Sequence, residues 1–462
     1  MRIVVIGGGI AGLSAALRLH DELGSAAQIT VIDGAATPGG KLRTGEIGGR
    51  AVETGAETFL ARAADDPSGA PSAAVRLARR VGLGNALISP ETLSAGILWD
   101  GMLRPMPAGT LMGVPADLDR VDWAPTAAAD HDLGEPVLPA GEDAAVGALV
   151  RARMGDAIVD RLVDPLLGGV YAGRADDLSV AVTMPGLAAA LRVEHTLQDA
   201  VRHALLQRVP TSGSPFASVE GGLSRLVEAV VAAMPAVIVR TGQPVREMAR
   251  SGLGWRLTVG STRDPEPVDA DAIVLAVPSH PAARLLGPGL PAVADLVGSL
   301  DYASIGLVTI VLPDGTLDRT ALAGKSGALI PAIEGHVIKA VTVFSSKWRP
   351  QPDGAVLLRA SVGRYGDPSA LAFDDETLTA VVHDDLAKIL GGPLPRALDT
   401  RVNRWGGALP QYAPGHSARV ARARASLPPT LTMAGAAYDG VGIPACIDSG
   451  ERAAATLIEQ LS

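Results

Sequence analysis

The chain has 462 residues, of which 47% are hydrophobic and 19% charged, as is typical of a globular protein large enough for two or three packed units. Its formal net charge of -9 argues against nucleic acid or an anionic membrane surface as a partner. The single cysteine, Cys446, excludes an internal disulfide, and the eight histidines show no pair at metal-ligand spacing, so we expect no bound metal and a reducing, cytoplasmic location.

The N-terminal segment MRIVVIGGGIAGLSAALRLHDEL is compatible with a secretion signal, the start of a membrane helix or a loop that holds a phosphate. Its uncharged run, residues 3–17, is fifteen residues long and contains four glycines. A bilayer-spanning helix needs roughly 20 apolar residues, and a glycine cluster is atypical of a signal peptide. The segment therefore predicts a buried strand, Arg2–Ile6, a glycine turn and a helix, Leu13–Leu23, with no integral membrane segment.

The glycine turn has the spacing G-x-G-x-x-G that binds the pyrophosphate of a dinucleotide. In this pattern Gly7 permits the tight turn, Gly9 lets the backbone approach the phosphates, and Gly12 lets the helix pack on the strand. Free N–H groups at the start of the following helix favour the same anion. The predicted phosphate loop consists of Gly7, Gly8, Gly9, Ile10, Ala11 and Gly12.

An acidic residue follows the next predicted strand, Gln28–Ile32, about 20 residues beyond the last glycine of the turn. This residue, Asp33, can accept a hydrogen bond from a ribose 2′-hydroxyl. A carboxylate at this place disfavours NADP, because it would repel the 2′-phosphate. At this point both FAD and NAD remain open as the cofactor.

A second glycine pair, Gly39-Gly40, and the basic Lys41 come directly after the ribose-binding strand, where backbone and positive charge could reach the same pyrophosphate. With the preceding motifs, this pattern resembles the amine-oxidase and protoporphyrinogen-oxidase superfamily of flavoproteins. The resemblance implies FAD as the cofactor. It also places four consecutive residues beside the isoalloxazine ring: Gly55, Ala56, Glu57 and Thr58.

The C-terminal segment predicts a strand, Leu431–Ala434, a glycine-rich loop and a helix that starts near Ala445. The loop sequence YDGVGIPACI resembles the porphyrinogen-oxidase branch of the superfamily, as do RWGGALPQYAPGH, LRASVGRYGD and EGGL further upstream. The resemblance extends the predicted cofactor site to Val245, whose backbone would contact the adenine, and to Trp405, Gly435, Gly442, Ile443 and Pro444.

The resemblance implies an α/β (α+β multidomain) fold with a Rossmann-type FAD-binding domain, a mixed-sheet substrate domain and a helical lid. We predict a discontinuous FAD domain at 1–90, 215–280 and 400–462, the lid at 91–214 and the substrate domain at 281–399. Strands are expected at 272–277, 305–312 and 337–344, and the clearest amphipathic helical segment is 142–166.

The function implied by this resemblance is the oxygen- and FAD-dependent six-electron oxidation of coproporphyrinogen III to coproporphyrin III in heme biosynthesis, with release of hydrogen peroxide. Because the cofactor carries the chemistry, no catalytic side chain is singled out. Arginine binds carboxylates with two parallel hydrogen bonds, so Arg62 and Arg364 are the predicted contacts for the substrate's propionates. Transient contact with other heme-pathway enzymes is part of the same expectation.

Other functions remain open from the sequence. Protoporphyrinogen IX is the main alternative substrate. Coproporphyrinogen III, which carries four carboxylates, is favoured because no membrane-docking segment is evident. An amine oxidase or carotenoid desaturase could share the fold, although aromatic residues make up only 3% of the chain and an aromatic cage beside the flavin would be hard to build. A flavin-binding scaffold without turnover is a further alternative.

Overall fold

The computed structural model describes residues 1–63, 68–121, 130–207, 213–252, 254–349 and 351–461. Its strands are β1 (Arg2–Ile6), β2 (Gln28–Ile32), β3 (Thr44–Ile47), β4 (Arg50–Glu53), β5 (Phe59–Leu60), β6 (Leu87–Ile88), β7 (Ala95–Trp99), β8 (Met102–Pro105), β9 (Thr110–Leu111), β10 (Val114–Pro115), β11 (Phe216–Val219), β12 (Ile238–Arg240), β13 (Val245–Ser251), β14 (Gly254–Gly260), β15 (Pro265–Ala270), β16 (Ala272–Leu275), β17 (Tyr302–Leu312), β18 (Gly327–Leu329), β19 (Ile338–Val343), β20 (Val356–Val362), β21 (Asp399–Pro410) and β22 (Leu431–Met433).

The helices lie between these strands, and α3 to α8 follow one another between β10 and β11. They are α1 (Ile10–Leu23), α2 (Ala73–Arg80), α3 (Val146–Met154), α4 (Asp156–Ile158), α5 (Asp164–Tyr171), α6 (Val180–Thr183), α7 (Pro185–Leu191), α8 (Leu197–Leu206), α9 (Ser224–Ala232), α10 (Ser279–Leu286), α11 (Pro291–Gly298), α12 (Phe344–Lys347), α13 (Asp375–Ile389), α14 (His416–Ala425), α15 (Ala436–Asp439) and α16 (Ile443–Leu461). A π-helical turn, Val159–Val163, joins α4 to α5.

A parallel five-stranded sheet lies beneath the predicted cofactor loops, with the strand order β12-β2-β1-β16-β22. Both faces are covered by helices, which explains why β1 is apolar on both sides. α1, α9 and α16 pack on one face, and α10 and α11 pack on the other. Ligands of such sheets bind outside the carboxyl ends of the strands, which here lead into the loops that follow Ile6 and Ile32.

A mixed seven-stranded sheet has the order β21-β17-β20-β19-β18-β7-β8. The strands of this sheet come from more than one predicted segment. β7 and β8 belong to the predicted lid segment, and β21 belongs almost entirely to the predicted FAD segment. Backbone pairing brings these three strands into the sheet, and composition carries little information about it. One face of the sheet packs against α13. The opposite face is turned toward α5 and toward residues 53–57, as contacts of Lys339 and Arg359 show.

The helices α3 to α8 form a separate core cluster that packs on the mixed sheet. The predicted amphipathic segment 142–166 is not one helix. It is divided because Gly155, at a φ of +86°, ends α3, and the chain then continues through α4, the π-helical turn and α5. Within the described ranges, none of the helices combines the length and apolar character needed to cross a bilayer.

The predicted strands Arg2–Ile6 and Gln28–Ile32 are confirmed with their bounds. The first helix begins at Ile10 rather than at Leu13, since the chain is already helical through Gly12. The last helix likewise begins at Ile443, two residues before the expected start. Boundaries at glycine-rich turns are poorly encoded by hydrophobic periodicity, because glycine contributes no side chain to the pattern.

Candidate cofactor and substrate site

The three spaced glycines of the phosphate loop are required for different reasons. A Cβ added at Gly12 would lie 1.9 Å from the carbonyl oxygen of Gly7, and one at Gly7 would lie 2.4 Å from that of Ala276. Neither position can hold a side chain without moving backbone. A Cβ at Gly9 would meet no protein atom within 4 Å. The space beside Gly9 is therefore open at the start of α1, which has no side-chain cap, and this is where an anion binds such a helix.

Asp33 lies at the carboxyl end of β2 with its carboxylate held by two main-chain donors. Its Oδ2 accepts from the N–H of Gly8 at 2.7 Å, and its Oδ1 accepts from the N–H of Ala35 at 2.7 Å. These bonds fix the carboxylate against the phosphate loop. Because a carboxylate has further lone pairs, Asp33 can still accept from a ribose hydroxyl.

The second glycine pair lies directly on the first turn. The N–H of Gly39 donates to the carbonyl of Gly8 at 2.7 Å, and Gly40, at a φ of +61°, lies against Gly9. The Nε of Arg43 donates to the carbonyl of Gly40 at 2.9 Å and holds this turn in place. Two sequence-distant turns thus border the same open space.

Residues 54–56 are held between this turn and β21. The N–H of Ala56 donates to the carbonyl of Lys41 at 2.9 Å, and the indole Nε1 of Trp405 donates to the carbonyl of Thr54 at 2.7 Å. A Cβ added at Gly55 would lie 2.2 Å from the carbonyl oxygen of Lys41 and 3.1 Å from the Trp405 ring. The close packing explains the glycine and brings Trp405 to the predicted flavin segment.

The C-terminal loop returns to the N-terminal turn through the packing of two helices. A Cβ added at Gly450 on α16 would lie 2.0 Å from the carbonyl oxygen of Ala11 on α1, so the two helices cross in close contact. The loop before α16 holds Gly435, Gly440 and Gly442, all at positive φ. A Cβ at Gly435 or Gly440 would meet nothing within 4 Å, so this loop also borders open space.

Asp439, which belongs to the C-terminal motif, holds the loop in shape. Its carboxylate accepts from both terminal nitrogens of Arg424, at 2.9 and 2.6 Å, and also from the hydroxyl of Ser449. Arg452 lies 3.3 Å away as a further ion-pair partner. Burial raises the pKa of Asp439, but the hydrogen bonds and charge of Arg424, the hydrogen bond from Ser449 and the charge of Arg452 together hold the pKa below its usual value. The residue is therefore an ionised structural anchor.

Lys41, which follows the second glycine pair, lies near Cys446 on α16. Burial lowers the pKa of the Lys41 amine, and the thiol of Cys446 lies near enough to act on it electrostatically. Burial raises the pKa of the Cys446 thiol to about 11, so this cysteine is protonated at neutral pH. A thiol of this kind is not an activated nucleophile. Among the residues that the structure describes, no carboxylate forms an ion pair with Lys41.

Glu57 is the centre of a buried charge cluster that also contains Arg359, Lys347 and Trp348. Its Oε2 accepts from Arg359 at 2.7 Å, and its Oε1 accepts from Trp348 at 3.0 Å and lies 2.8 Å from the Nζ of Lys347. Burial raises the pKa of Glu57, but the two cations prevail and the net shift is downward. The carboxylate thus ties residues 55–58 to the mixed sheet, and flavin contact by this side chain stays a prediction.

Sequence reasoning did not single out these partners of Glu57. Arg359 lies within the quoted motif LRASVGRYGD, and it also donates to the carbonyls of Glu53 and Gly55, at 2.9 and 3.4 Å. The composition could have drawn attention to Lys347, because lysine is rare in this chain, with only five lysines among the 40 residues that are lysine or arginine. Three of the five, Lys41, Lys339 and Lys347, prove to be largely buried in or near the site.

The two arginines predicted to bind substrate lie in different surroundings. Arg62 is exposed beyond β5, and its Nη1 donates to the carbonyl of Gly69 at 2.9 Å. The guanidinium of Arg364 is half-buried and donates to the carbonyls of His336, Ile330 and Ile338, at 3.2, 3.2 and 3.3 Å. Arg364 therefore has a structural role first, and its contact with substrate stays a prediction.

The remaining predicted residues surround the same site. Val245 is the buried first residue of β13, two residues after Gln243, whose N–H donates to the carbonyl of Asp33 at 2.9 Å. Thr58 is half-buried beside Glu57. Ile443 and Pro444 form the first turn of α16. The structure thus gathers the predicted cofactor residues from both ends of the chain, while their contacts with a cofactor stay a prediction.

The burial of the Glu53 side chain can be tested through the pH dependence of stability. The side chain is buried, accepts from the N–H of Leu223 at 2.7 Å and from Thr44 at 3.2 Å, and has a pKa raised by burial to about 7. The folded protein therefore binds a proton that the unfolded chain releases, so stability falls as the pH rises from about 4.5 to about 7. The expected cost by pH 8 is on the order of 3 kcal/mol.

We expect Glu53→Gln to remove this slope, because the amide keeps the acceptor and cannot ionise. Urea unfolding of both proteins, saturated with FAD, should give equal free energies near pH 4.5 and a more stable variant at pH 8. Glu46→Gln, at an exposed position of β3, is the matched control. Parallel curves for Glu53→Gln and the natural protein over the whole range would contradict the raised pKa.

Comparison with known proteins identifies the family. Residues 10–458 match the flavin-containing amine oxidoreductase family. The chain belongs to this family. It is 38% identical over 467 residues to a coproporphyrinogen III oxidase of Mycobacterium tuberculosis, with 99% of this chain and 97% of that protein covered. It is 30% identical over 483 residues to a coproporphyrinogen III oxidase of Bacillus subtilis, covering 99% and 98%.

Solved structures agree on the fold of this flavin-containing amine oxidoreductase. A crystal structure from Exiguobacterium sp. 255-15, described as a candidate protoporphyrinogen oxidase, superposes with a TM-score of 0.81 at 30% identity and covers 100% of this chain and 98% of that one. Cyclohexylamine oxidase from Brevibacterium oxydans gives a TM-score of 0.70 at 18% identity, over 100% of this chain and 99% of that one. The second likeness shows the fold alone.

The residues present fit the flavin dinucleotide that this family contains. The open space beside Gly9 and the uncapped start of α1 suit a pyrophosphate, and Asp33 suits a ribose hydroxyl. The open positions at Gly435 and Gly440 border the far end of the same region. FAD is therefore the cofactor, whereas its contacts with the phosphate loop and with residues 55–58 stay a prediction.

Proposed function

We propose that this protein oxidises coproporphyrinogen III to coproporphyrin III with O₂ as the electron acceptor. One observation carries the proposal: the 38% identity to a coproporphyrinogen III oxidase extends over 99% of the chain, so the cofactor loops and the mixed sheet are matched together. The reaction removes six electrons and six hydrogen atoms from the substrate, and three O₂ become three H₂O₂. When bound, FAD supplies the two-electron acceptor that this reaction requires.

The chain's own residues contribute binding, orientation and exclusion of water. The Glu57 cluster holds the predicted flavin segment against the mixed sheet at a distance fixed by buried ion pairs. Beyond that cluster, the same face of the sheet presents the half-buried side chains of Ile305, Ala340 and Ser361. A mostly apolar surface of this kind suits a pyrrole macrocycle, whose carboxylates would then lie at its rim.

Protoporphyrinogen IX is the second candidate substrate. A relative named as a chloroplastic protoporphyrinogen oxidase, from Oryza sativa, favours this substrate. The two proteins are 26% identical over 497 residues, with 99% of this chain and 88% of that protein covered. The two substrates differ in their number of carboxylates, so specificity depends on cations at the rim of the site.

Aerobic turnover of the purified holoenzyme tests the proposal. Coproporphyrinogen III, protoporphyrinogen IX and a set of amines are supplied separately, and porphyrin fluorescence and peroxide are followed against autoxidation without enzyme. We expect the highest kcat/KM for coproporphyrinogen III, with three H₂O₂ per porphyrin. A porphyrin yield no faster than autoxidation, or amine oxidation alone, would overturn it.

Location, partners and domain roles belong to the same proposal. The single cysteine supports a reducing, cytoplasmic compartment, where coproporphyrin would pass to a later heme-pathway enzyme through a transient contact. We further propose that the parallel sheet carries the FAD domain, the mixed sheet the substrate domain, and α3 to α8 the lid.

Arg62 is a candidate contact for a substrate carboxylate, and its removal gives a kinetic prediction. We expect Arg62→Ala to raise the KM for coproporphyrinogen III by about three- to tenfold, since an exposed charge contributes modestly to binding. Flavin content and kcat should stay unchanged, because Arg62 is exposed and its guanidinium donates to the carbonyl of Gly69. Arg263→Ala, at an exposed position, is the control, and equal KM values for the two variants would remove Arg62 from the site.

A further inference from the structure

Lys339 is a buried lysine on the mixed sheet that no part of the cofactor site uses. It lies on β19 with only 6% of its surface exposed. Its neighbours Ile338 and Val341 point into the core beneath α13, whereas Ala340 pairs with Ser361 on the opposite face. The register of β19 shifts between Ile338 and Ala340, and this irregularity turns Lys339 toward α5. Such bulges are common beside active sites, where they redirect a side chain.

The amine of Lys339 is poorly satisfied. Its Nζ donates to the carbonyl of Gly168 on α5 at 3.4 Å, and within the described ranges of the chain no carboxylate forms an ion pair with it. A lysine ammonium has three N–H donors, and a buried charge without a counter-ion is costly. Burial, with a smaller contribution from the neighbouring Arg364, lowers the pKa of Lys339 to about 7. The Arg364 guanidinium is thus a second positive charge beside the amine.

The nearby charged groups do not supply the missing anion. Asp385, beneath the core face, is bound to His336 at 2.7 Å and to the N–H of Ile338 at 3.0 Å. Asp164 on α5 accepts from the N–H of Ala175 at 2.8 Å, and its pKa is raised by burial. Each carboxylate has its own partner, and neither forms a hydrogen bond or ion pair with Lys339. An anion from outside the chain would complete the amine's bonding.

Lys339 lies on the same face of the sheet as the cofactor segment. Arg359, which contacts Gly55 and Glu57, pairs across strands with Thr342. Lys339 is three residues from Thr342 along β19, about 10 Å at the rise of a strand. Solvent reaches the seam between α5 and β18, where Gly169 is exposed and lies against Leu329. The distance of about 10 Å between Lys339 and Thr342 suits a macrocycle whose centre lies over the flavin segment and whose rim reaches Lys339.

We propose that Lys339 binds a carboxylate of the substrate at the end of the site between β19 and α5. The proposal rests on the proposed function, since it needs a substrate with carboxylates at its rim. An ammonium and a carboxylate brought together in a buried place form a short, strong hydrogen bond. The substrate thereby supplies a counter-ion that no carboxylate of the described residues provides, and a substrate without carboxylates does not.

Lys339→Met tests this proposal, because methionine keeps the length and apolar stem of lysine and removes its charge. The oxidised holoenzyme is titrated with coproporphyrin III and with its tetramethyl ester, and steady-state oxidation of coproporphyrinogen III is measured alongside. We expect the Kd for the free acid and the KM to rise about ten- to hundredfold. The Kd for the ester, kcat and flavin content should stay within twofold of the natural protein. Lys388→Met, exposed on α13, is the control.

Thermal unfolding separates binding from a structural role. Removal of an unpaired buried amine should leave the Tm equal or higher, so a raised Kd in a stable protein supports the proposal. An unchanged Kd for the free acid would overturn it, as would equal weakening of acid and ester. Lys339→Gln provides a second variant should Lys339→Met fail to fold. If the natural protein does not oxidise coproporphyrinogen III, the proposed function fails, whereas the porphyrin titration still decides whether Lys339 binds carboxylates.

Discussion

Gly9→Val is expected to give a folded protein without flavin. The position has open space where a Cβ would lie, so the valine meets no protein atom close to its Cβ and the apoprotein keeps its core. The side chain instead occupies the place of the pyrophosphate beside the start of α1. We expect the affinity for FAD to fall at least ~100-fold, or about 2.7 kcal/mol. The flavin absorbance of the purified variant and a titration of its apoprotein with FAD measure this effect.

Gly12→Val is the matched control for this substitution. Its Cβ would lie 1.9 Å from the carbonyl oxygen of Gly7, so the variant should lose stability as well as flavin. Circular dichroism and thermal unfolding of both apoproteins distinguish a blocked ligand site from a damaged fold. Retention of stoichiometric FAD by Gly9→Val would contradict the assignment of the pyrophosphate to this loop.

Glu57→Ala is expected to produce the largest loss of stability among the substitutions described. It leaves the cations of Arg359 and Lys347 buried without their shared carboxylate. Breaking a buried ion pair from one side typically costs about 3–5 kcal/mol. Urea unfolding of the apoprotein at pH 7 measures this loss without the contribution of bound flavin. A decrease of less than about 1 kcal/mol would show that water already reaches the cluster.

Two further measurements identify the cause of this loss. Adding Lys347→Met to Glu57→Ala should recover at least about 1 kcal/mol, because one of the unpaired cations is removed. The loss should also depend on pH. The pKa of Glu57 is lowered in the folded protein, so its stabilising effect is present above the pKa of the unfolded chain and disappears as the pH falls. A difference between variant and natural protein that persisted undiminished into acid would point to packing instead of charge.

The phosphate loop and the charge cluster differ in how far the sequence could predict them. The roles of Gly7, Gly9 and Gly12 follow from local spacing, since strand, turn and helix are consecutive in the chain. The partner of Glu57, Arg359, lies 302 residues away and no local pattern links the two. The family resemblance predicts Glu57 beside the flavin, and the structure shows that its carboxylate is engaged with the mixed sheet.

The predicted substrate contacts show the same limit. Arg364 is part of a recognisable motif, yet its guanidinium is bound by three main-chain carbonyls that belong to the neighbouring loop and strand. Lys339 lies in no motif, and only the irregular register of β19 shows that its amine is turned toward α5. The sequence shows which side chains carry a charge, but the groups that bond to them lie on segments that meet only after folding.

The sequence by itself determined the dinucleotide loop, the strand that ends in Asp33 and the resemblance that implied a flavoprotein. These features are encoded by residues close together, where spacing and backbone freedom are directly visible. The tertiary structure alone decided that both glycine turns border one open space, that β7, β8 and β21 join the mixed sheet, and that Lys339 finds no carboxylate partner in the part of the chain that the structure describes. Such features depend on burial and on pairing between distant segments, because desolvation and hydrogen bonding act on groups that are neighbours in space rather than in sequence.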